Sequence, residues 1–592
     1  MLRTPAPPVP RSGAAPRVRW LLAAGWVAQV ALRLWLNRYH GAPVANPDET
    51  GYLLAARWLA GGAGADLSGS TFYQAGYALL LVPIFWLTSD PGLAYRLAVG
   101  VGAVAAASAY PVAYVLLRRL RVGRRAALAL AFTAGSSPSL LVFSGFALAD
   151  AVLPVVVLGW LVALHDLVAG GPLRRRVAAG AAAGGLAAYA MAVHLRGTVI
   201  VAVCLLVLVA LWRRLPRAAL IATLVSAVAG AVAGDALNGA LRAALYPGGP
   251  RDLSGLLVER LTSLEGQAWA LSGAAGQLWY LVAGTWGLAG VGLAGAAALL
   301  TRRSAPFVPR VLAGALLTLT LGIAYASSAA LPDEHRVGNF AYGRYLACVA
   351  VAWTLVGMLV LLRARRLPAA RASAAGHAQA GAGRASAAGR AQAGAGRASV
   401  AGRGLSGAGW LSVVRHVVAA AGLLAVTGGV VAWYAGDRLH RHAFIAFDFP
   451  EVIFLTQRPG SLDLVAASLS ALALLACLAG AALARRPAVL ATAVLGLIQM
   501  AFVVHLAPAP PAPGPDWLPA PSPPGRVAVE AGVKWNVWVP LSYRVWWTGI
   551  ERFRGTPPEG VCTAVVPQEA GPPPAGWTVT GARHGWVTWS RC

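Results

Sequence analysis

Two adjacent carboxylates, Asp48 and Glu49, follow the first long apolar run of the chain, in the stretch NPDETGYLLAARWLAGG at residues 46–62. A carboxylate in this position can take a proton from a hydroxyl group, as general-base catalysis requires. It can equally cap a helix that begins here, where a negative charge is favourable by about 0.5–2 kcal/mol. The residues alone leave both interpretations open.

Cationic side chains that can bind a phosphate occur in two later stretches, LPDEHRVGNFAYGRYLA and YAMAVHLRGTVI. They are His335, Arg336 and Arg344, with Tyr342 nearby, and His194 with Arg196. Arginine suits a phosphate because its planar fork donates two hydrogen bonds at once. The alternatives are an anchor in the headgroup region for Arg344, a solvated ion-pair cluster for Arg336 and a helix-end histidine for His194. Asp150, after SGFALA, has the same choice between helix cap and catalytic acid.

The composition predicts that these residues stand at a membrane surface. Of the 592 residues, 58% are hydrophobic and 12% are charged, which makes the bilayer the expected solvent. Apolar stretches of about 20 residues predict an all-α polytopic membrane protein with about 13 transmembrane helices. The net charge of +28 falls in short arginine clusters between apolar runs, a pattern typical of cytoplasmic loops and not of a nucleic-acid partner.

One orientation accounts for every arginine cluster. If residues 1–18 are cytoplasmic and residues 19–507 form the transmembrane domain of a plasma-membrane protein, all basic clusters lie in the cytoplasm. The first apolar run lacks a small-residue cleavage site, which favours a retained helix over a signal peptide. The loop at 38–76, which carries Asp48, and most of the acidic residues then lie outside. Any chemistry is predicted to face outward.

Two segments differ from the rest in composition. Residues 364–412 contain the repeat RASAAGHAQAGAG, RASAAGRAQAGAG, which predicts a disordered basic cytoplasmic linker. Residues 508–592 begin with a Pro-rich tether and read as a small β-rich extracytoplasmic domain. Cys562 and Cys592 are its only cysteines, and an oxidising compartment favours a disulfide between them. The near absence of Lys is typical of a GC-rich bacterial genome such as that of an actinobacterium.

No phosphate-binding glycine loop, Ser/His/Asp arrangement or Cys/His cluster has a useful spacing, so no cofactor and no metal are predicted. A divalent ion at Asp48 stays open.

The acidic pair after the first transmembrane helix stands in a wider pattern. Tyr52 follows Glu49 by three residues, Tyr73-x-x-Gly-Tyr follows, and Asp150 ends a later span on the outer side. In this order the chain resembles the GT-C glycosyltransferases, polytopic enzymes that take a sugar from a polyprenyl-phosphate donor. They include the protein O-mannosyltransferases and the bacterial aminoarabinose transferases. The latter have a donor-binding lysine after the acidic pair, and this chain has none in that loop.

The resemblance implies that Asp48 is the catalytic base and that Glu49 and Asp150 support it. The donor phosphate is then expected at Arg196, Arg336, Arg344, His335 and Tyr342, and the substrate pocket at Tyr52, Tyr73, Gln74 and His194. Displacement of a polyprenyl phosphate requires a carboxylate for the acceptor proton and cations for the leaving group. We therefore expect arginines from distant loops beside Asp48.

The reaction expected from the resemblance is an inverting transfer of mannose or an arabinose-like sugar. The partners are a polyprenyl-phosphate-linked donor and a hydroxyl of an extracytoplasmic glycan, lipid or protein of the cell envelope. The alternatives are a lipid or small-molecule transporter or flippase, which needs charges or broken helices near the bilayer midplane, and a non-catalytic envelope assembly protein.

Overall fold

The computed structural model describes residues 15–45, 47–364, 407–484, 486–508, 526–534, 537–538, 541, 550–583 and 585–592. Three predictions fall largely outside these residues: the cytoplasmic N-terminus up to residue 14, the basic repeat at 365–406 and the Pro-rich tether at 509–525.

Most described residues are helical. The helices are α1 (Ala15–Leu36), α2 (Asp48–Leu59), α3 (Ala75–Leu87), α4 (Pro91–Ala107), α5 (Ala109–Arg119), α6 (Arg124–Gly135), α7 (Pro138–Phe143), α8 (Leu153–Val168), α9 (Leu173–Val193), α10 (Gly197–Leu211), α11 (Arg217–Leu245), α12 (Ser254–Thr262), α13 (Leu264–Gly284), α14 (Leu288–Thr301), α15 (Phe307–Ala330), α16 (Ala347–Ala364), α17 (Gly407–Ala435), α18 (Arg438–Arg441), α19 (Pro450–Thr456), α20 (Leu464–Leu483) and α21 (Pro487–His505). Short 3-10 helices cover Ala149–Ala151, Val337–Asn339, Gly343–Leu346 and Ala446–Asp448.

The length and apolar composition of the helices fit a polytopic membrane protein. Among the described residues, 9 helices are long and apolar enough to cross a membrane, or up to 10 if a bent pair counts as one span. That pair is α13 and α14, which meet at an angle of 113°. The break falls at Trp286 and Gly287, whose φ angles are +57° and +79°. The predicted all-α membrane fold is confirmed, and the number of about 13 spans stays a prediction.

Small residues let the helices that carry the site approach closely. A Cβ atom built on Gly184 of α9 would lie 2.1 Å from the carbonyl oxygen of Thr223 on α11. Because no side chain fits there, only glycine permits this contact of two helix backbones. The same packing fixes the end of α9, and the chain then turns through His194 and Arg196 into α10.

The C-terminal residues form the predicted β-rich unit. Its strands are β1 (Arg526–Glu530), β2 (Ile550–Phe553), β3 (Val561–Pro567), β4 (Thr578–Arg583) and β5 (Trp586–Ser590), in the order β2-β1-β3-β5-β4. Strand β1 is parallel to its neighbours β2 and β3, whereas β5 is antiparallel to its neighbours β3 and β4. Cys562 and Cys592 form a disulfide that joins β3 to the chain end. Trp577 and Trp589 lie in the small core of this unit.

Candidate active site

The charged residues of the candidate site stand at helix ends. Asp48 is the first residue of α2, Asp150 lies in the 3-10 helix before α8, and Arg344 lies in the 3-10 helix before α16. Arg196 lies in the turn between α9 and α10. Helix ends are the usual place for charged residues in a membrane protein, because a charge in the middle of an apolar span is costly.

Two acids and two arginines from these segments form an alternating chain of ion pairs. Asp48 Oδ2 lies 2.6 Å from Arg344 Nη1, and Asp150 Oδ2 lies 2.8 Å from Arg344 Nε. The other oxygen of Asp150, Oδ1, lies 2.6 Å from Nη2 of Arg196. The two negative charges of the acids are balanced by the two positive charges of the arginines, which offsets the cost of burying charged groups. Residues far apart in the sequence thus meet in one group, in which Arg344 is the arginine that contacts Asp48.

Exposure differs sharply along this chain of ion pairs. The side chains of Asp150 and Arg196 are 1% and 3% exposed, and that of Arg344 is 9% exposed. Asp48 retains 30% of its side-chain surface. It is therefore the acid of this group that a substrate can reach from water.

The two arginines differ in how fully the protein uses their nitrogens. Arg196 donates from Nε to His194, from Nη1 to the carbonyl oxygens of Arg344 and Tyr345, and from Nη2 to Asp150. Arg344 uses Nε and Nη1, and its Nη2 has no hydrogen-bond acceptor among the described residues. Arg344 thus keeps a donor for a ligand, whereas Arg196 orients the protein groups around it.

His194 accepts hydrogen bonds from Arg196. Its Nδ1 lies 3.2 Å from the backbone nitrogen of Arg196 and 3.3 Å from the Nε of the same residue. Burial, and next the charge of Arg196, hold the pKa of His194 well below its usual value. The ring is therefore neutral and accepts a hydrogen bond at Nδ1.

Aromatic residues of the predicted outer loop pack against Asp48. The hydroxyl of Tyr73 donates to Asp48 Oδ1 at 3.0 Å, and burial, followed by the charge of Asp48, raises the pKa of Tyr73 well above 10.0. Tyr52 meets the edges of Tyr73 and Tyr77 with ring centroids 5.3 and 5.2 Å apart. Gln74 is buried just before α3. Tyr73 thus holds the carboxylate on the side opposite Arg344.

Glu49 points away from this group. It is fully buried, and its Oε1 accepts hydrogen bonds from the hydroxyl of Tyr95 at 2.7 Å and the backbone of Ala147 at 2.8 Å. Its Oε2 accepts from the backbone nitrogens of Val44 and Ala45, each at 2.7 Å. Burial raises the pKa of Glu49, and these hydrogen bonds oppose the shift. Glu49 thereby joins the segment before α2 to the segment before Asp150.

The loop before α16 brings a further arginine near the site. The guanidinium of Arg336 lies 5.4 Å from the ring centroid of Tyr342, whose hydroxyl accepts from Arg344 Nη1 at 3.4 Å. Arg336 is paired with Glu334 at 3.1 Å, and its buried Nε has no partner among the described residues. His335, in contrast, is 82% exposed and packs against His442 instead of the ion-pair chain.

The sequence did not single out two buried acids, Asp448 and Glu451. Asp448 is 2% exposed, and burial raises its pKa to about 6 against the opposing charges of Arg336 and Arg344. Glu451 accepts a 2.6 Å hydrogen bond from Tyr280, and burial raises its pKa to about 7. The available signal was a pair of acids in the short apolar stretch FDFPEV on the predicted outer side.

Comparison with protein-family models and with curated protein sequences finds no match. Among solved structures, the chain is similar to the apo form of ArnT from Cupriavidus metallidurans, with a TM-score of 0.50, 15% identity, and coverage of 96% of this chain and 98% of that one. The chain has the GT-C fold. This confirms the predicted fold class.

Two further solved structures are similar to the chain with lower TM-scores. ArnT from Cupriavidus metallidurans bound to undecaprenyl phosphate matches with a TM-score of 0.48 and 13% identity, covering 98% of this chain and 99% of that one. The arabinosyltransferase EmbB from Mycobacterium smegmatis matches with a TM-score of 0.37 and 14% identity, covering 85% of this chain and 42% of that one.

Proposed function

We propose that this protein is a membrane glycosyltransferase that moves a sugar from a polyprenyl-phosphate donor to a hydroxyl of an extracytoplasmic acceptor. The observation that carries the proposal is the accessible carboxylate of Asp48, 2.6 Å from an arginine that retains an unused donor. The GT-C fold supports the same reaction class. Glycosyl transfer needs both groups in one place, a base for the acceptor and a cation for the leaving phosphate.

The reaction assigns one role to each end of the Asp48–Arg344 pair. Asp48 takes the proton of the acceptor hydroxyl while that oxygen attacks the anomeric carbon from the face opposite the phosphate. The bond between this carbon and the phosphate oxygen breaks, and its electrons leave with the polyprenyl phosphate. Arg344 Nη2 donates to that phosphate, and Arg336 adds a second positive charge nearby. The proton on Asp48 passes to water, and the configuration at the sugar is inverted.

The arrival of the donor also changes the partner of Arg344. In the structure Asp48 competes for this guanidinium through Nη1. A phosphate with its greater charge weakens that pairing and leaves the Asp48 carboxylate free to take a proton. Asp150 keeps its bond to Arg344 Nε and holds the arginine in place throughout.

The remaining predicted site residues act through these groups. Arg196, with His194, fixes Asp150, and Tyr73 orients Asp48. Glu49 positions the start of α2, so we assign it no proton transfer. Tyr342 couples Arg336 to Arg344. Tyr52 and Gln74 line the packed base of the outer loop.

We place the site at the outer face of the plasma membrane, with the N-terminus inside and the C-terminal unit from residue 508 outside. The arginine clusters of the sequence support this orientation. A lipid-linked donor suits an outer site, and mannose or an arabinose-like sugar transferred to an envelope glycan, lipid or protein is the reaction we expect.

The test compares Asp48→Asn with the wild type in membranes supplied with a polyprenyl-phospho-sugar. We expect transfer to fall by at least about 100-fold, the usual effect of losing a general base. The matched control is Asp437→Asn, because the Asp437 side chain is 87% exposed and pairs with Arg441, which does not belong to the ion-pair chain. Melting temperatures of both variants in detergent exclude a folding defect as the cause. Unchanged transfer in Asp48→Asn would contradict the proposal.

The same assay separates the alternatives. Transporter sites often lie between broken helices, and the bend of 113° between α13 and α14 is the observation that favours this alternative. A flippase would move lipid across the bilayer without forming a glycosylated product, and Asp48→Asn would leave that movement intact. An assembly protein would form no product in either version. Mass spectrometry of envelope glycans from a deletion strain identifies the sugar through the missing residue and the accumulated donor.

A further inference from the structure

Three potential metal ligands meet beside the candidate active site. One ligand atom from each of Asp333, His335 and His442 lies within 4.8 Å of the others. The segment of Asp333 and His335 and the segment of His442 are more than 100 positions apart in sequence and are joined by backbone hydrogen bonds. Ala443 donates to the carbonyl of His335 at 2.9 Å, and Val337 donates to the carbonyl of Ala443 at 3.0 Å. The side chains are thus brought together by a fixed piece of backbone.

Each of the three side chains shows a feature that a ligand would explain. His335 has a φ of +52°, which is uncommon for a residue with a side chain and costs about 1–2 kcal/mol. The Nδ1 of His442 is buried and has no hydrogen-bond partner among the described residues. Asp333 Oδ1 accepts from the backbone of His335 at 3.0 Å and from Asn339 at 3.1 Å, which fixes its carboxylate. An unpartnered imidazole nitrogen beside a second imidazole and a carboxylate is a set of groups that can bind a metal cation.

We propose that Asp333, His335 and His442 bind a Zn²⁺ ion. Two imidazole nitrogens and one carboxylate oxygen are a typical ligand set for this ion. In a tetrahedral site with bonds of about 2.0–2.1 Å, the ligand atoms stand roughly 3.4 Å apart, so small side-chain rotations close the cluster. Three protein ligands leave a fourth position, which faces water because Asp333 and His335 are exposed.

The ion would act as a cross-link between two loops of the site. The loop of Asp333 and His335 continues into Arg336 and Arg344, and the segment of His442 continues into Asp448. Arg336 and Asp448 are themselves only 4.0 Å apart. A metal that joins the loops at one end therefore keeps this pair, and with it the free donors of Arg336, in position. The ion takes no part in proton transfer at Asp48.

The variants are chosen to remove ligands without disturbing the backbone. His335→Asn keeps a residue type that tolerates a positive φ, and it removes the imidazole. Asp333→Asn keeps the oxygen that accepts from His335 and Asn339, and it removes the charge. His440→Ala is the matched control, because this histidine is exposed on α18 and does not belong to the cluster.

The experiment measures Zn²⁺ binding by calorimetry to the full chain in detergent, purified without a histidine tag and stripped with a chelator. We expect one ion per chain, a rise in melting temperature on addition of Zn²⁺, and affinity at least about tenfold weaker in both ligand variants, while His440→Ala binds as the wild type does. Equal melting temperatures without metal show that the variants are folded. A wild type that binds no Zn²⁺, or ligand variants that bind it equally well, would overturn the proposal.

Discussion

Replacing Glu49 by glutamine tests whether the two adjacent acids have different tasks. Glu49 accepts four hydrogen bonds, three of them from backbone nitrogens that cannot turn away. A glutamine amide group has one oxygen and one NH₂ group, and the NH₂ group must face at least one of these donors. The least costly arrangement places it at Oε1, where Tyr95 can rotate and accept but the nitrogen of Ala147 loses its acceptor.

The loss of stability in Glu49→Gln can be estimated from these four hydrogen bonds. A buried donor left unpaired costs about 1–3 kcal/mol, and the two bonds to Val44 and Ala45 each lose roughly 1 kcal/mol when their acceptor loses its charge. Relief from burying a charge offsets part of this loss. We therefore expect Glu49→Gln to lower the free energy of unfolding by about 2 kcal/mol and the melting temperature by a few degrees.

The assay is thermal unfolding of the full chain in detergent, combined with the transfer assay at a temperature where both proteins stay folded. Glu569→Gln is the control, because Glu569 is exposed in the C-terminal unit and makes none of these contacts. Activity should fall less than in Asp48→Asn. A melting temperature equal to that of the wild type, together with lost transfer, would refute the positioning role and make Glu49 a catalytic acid.

Three further predictions concern the arginine bridge, the buried acids and the helix packing. Arg344→Lys should reduce the initial rate of transfer by at least about 100-fold, because one ammonium group cannot hold Asp48 and Asp150 at two separate nitrogens. The control Arg458→Lys, at an exposed arginine, should leave this rate unchanged. For Asp448, burial raises the pKa in the folded protein to about 6, so the folded state binds the proton more tightly than the unfolded state. The free energy of unfolding should therefore fall by roughly 3 kcal/mol as the pH rises from about 3 to 7, and melting curves of Asp448→Asn should lack this contribution. Gly184→Ala should lower the melting temperature, and Gly185→Ala should not, because a Cβ on Gly184 meets the Thr223 oxygen whereas one on Gly185 meets no described atom within 4 Å.

Hydropathy predicted the membrane fold but not its irregular helices. The residues on both sides of the break, from Leu278 to Leu300, are almost all apolar, so composition gives no sign of the bend at Trp286 and Gly287. In α1, Arg33 is fully buried and donates to Gln29 and to the carbonyl of Gly135. Sequence cannot foresee such an internal partner, because the acceptor is a backbone oxygen freed at the end of another helix.

The types of the site residues were predictable, whereas their pairing was not. Asp150, Arg196 and Arg344 stood out because they are charged and lie at span ends away from the arginine clusters. Nothing in the sequence indicates that Asp150 forms ion pairs with both Arg196 and Arg344. Nor does it indicate that His194 accepts a hydrogen bond from Arg196. These contacts depend on how α9 and α16 pack against α8, and the spacing of residues along the chain carries no information on that packing.

The different tasks of Asp48 and Glu49 follow from helix geometry. Successive residues of an α-helix point about 100° apart, so two adjacent acids at the start of α2 cannot face the same partners. Asp48 points to Arg344 and water, and Glu49 points to the buried backbone around Ala147. Glu49 rigidly fixes the helix start, and a fixed helix start keeps the Asp48 carboxylate within one hydrogen bond of Arg344. A base that is partly exposed can therefore be held in place by a neighbour that is fully buried.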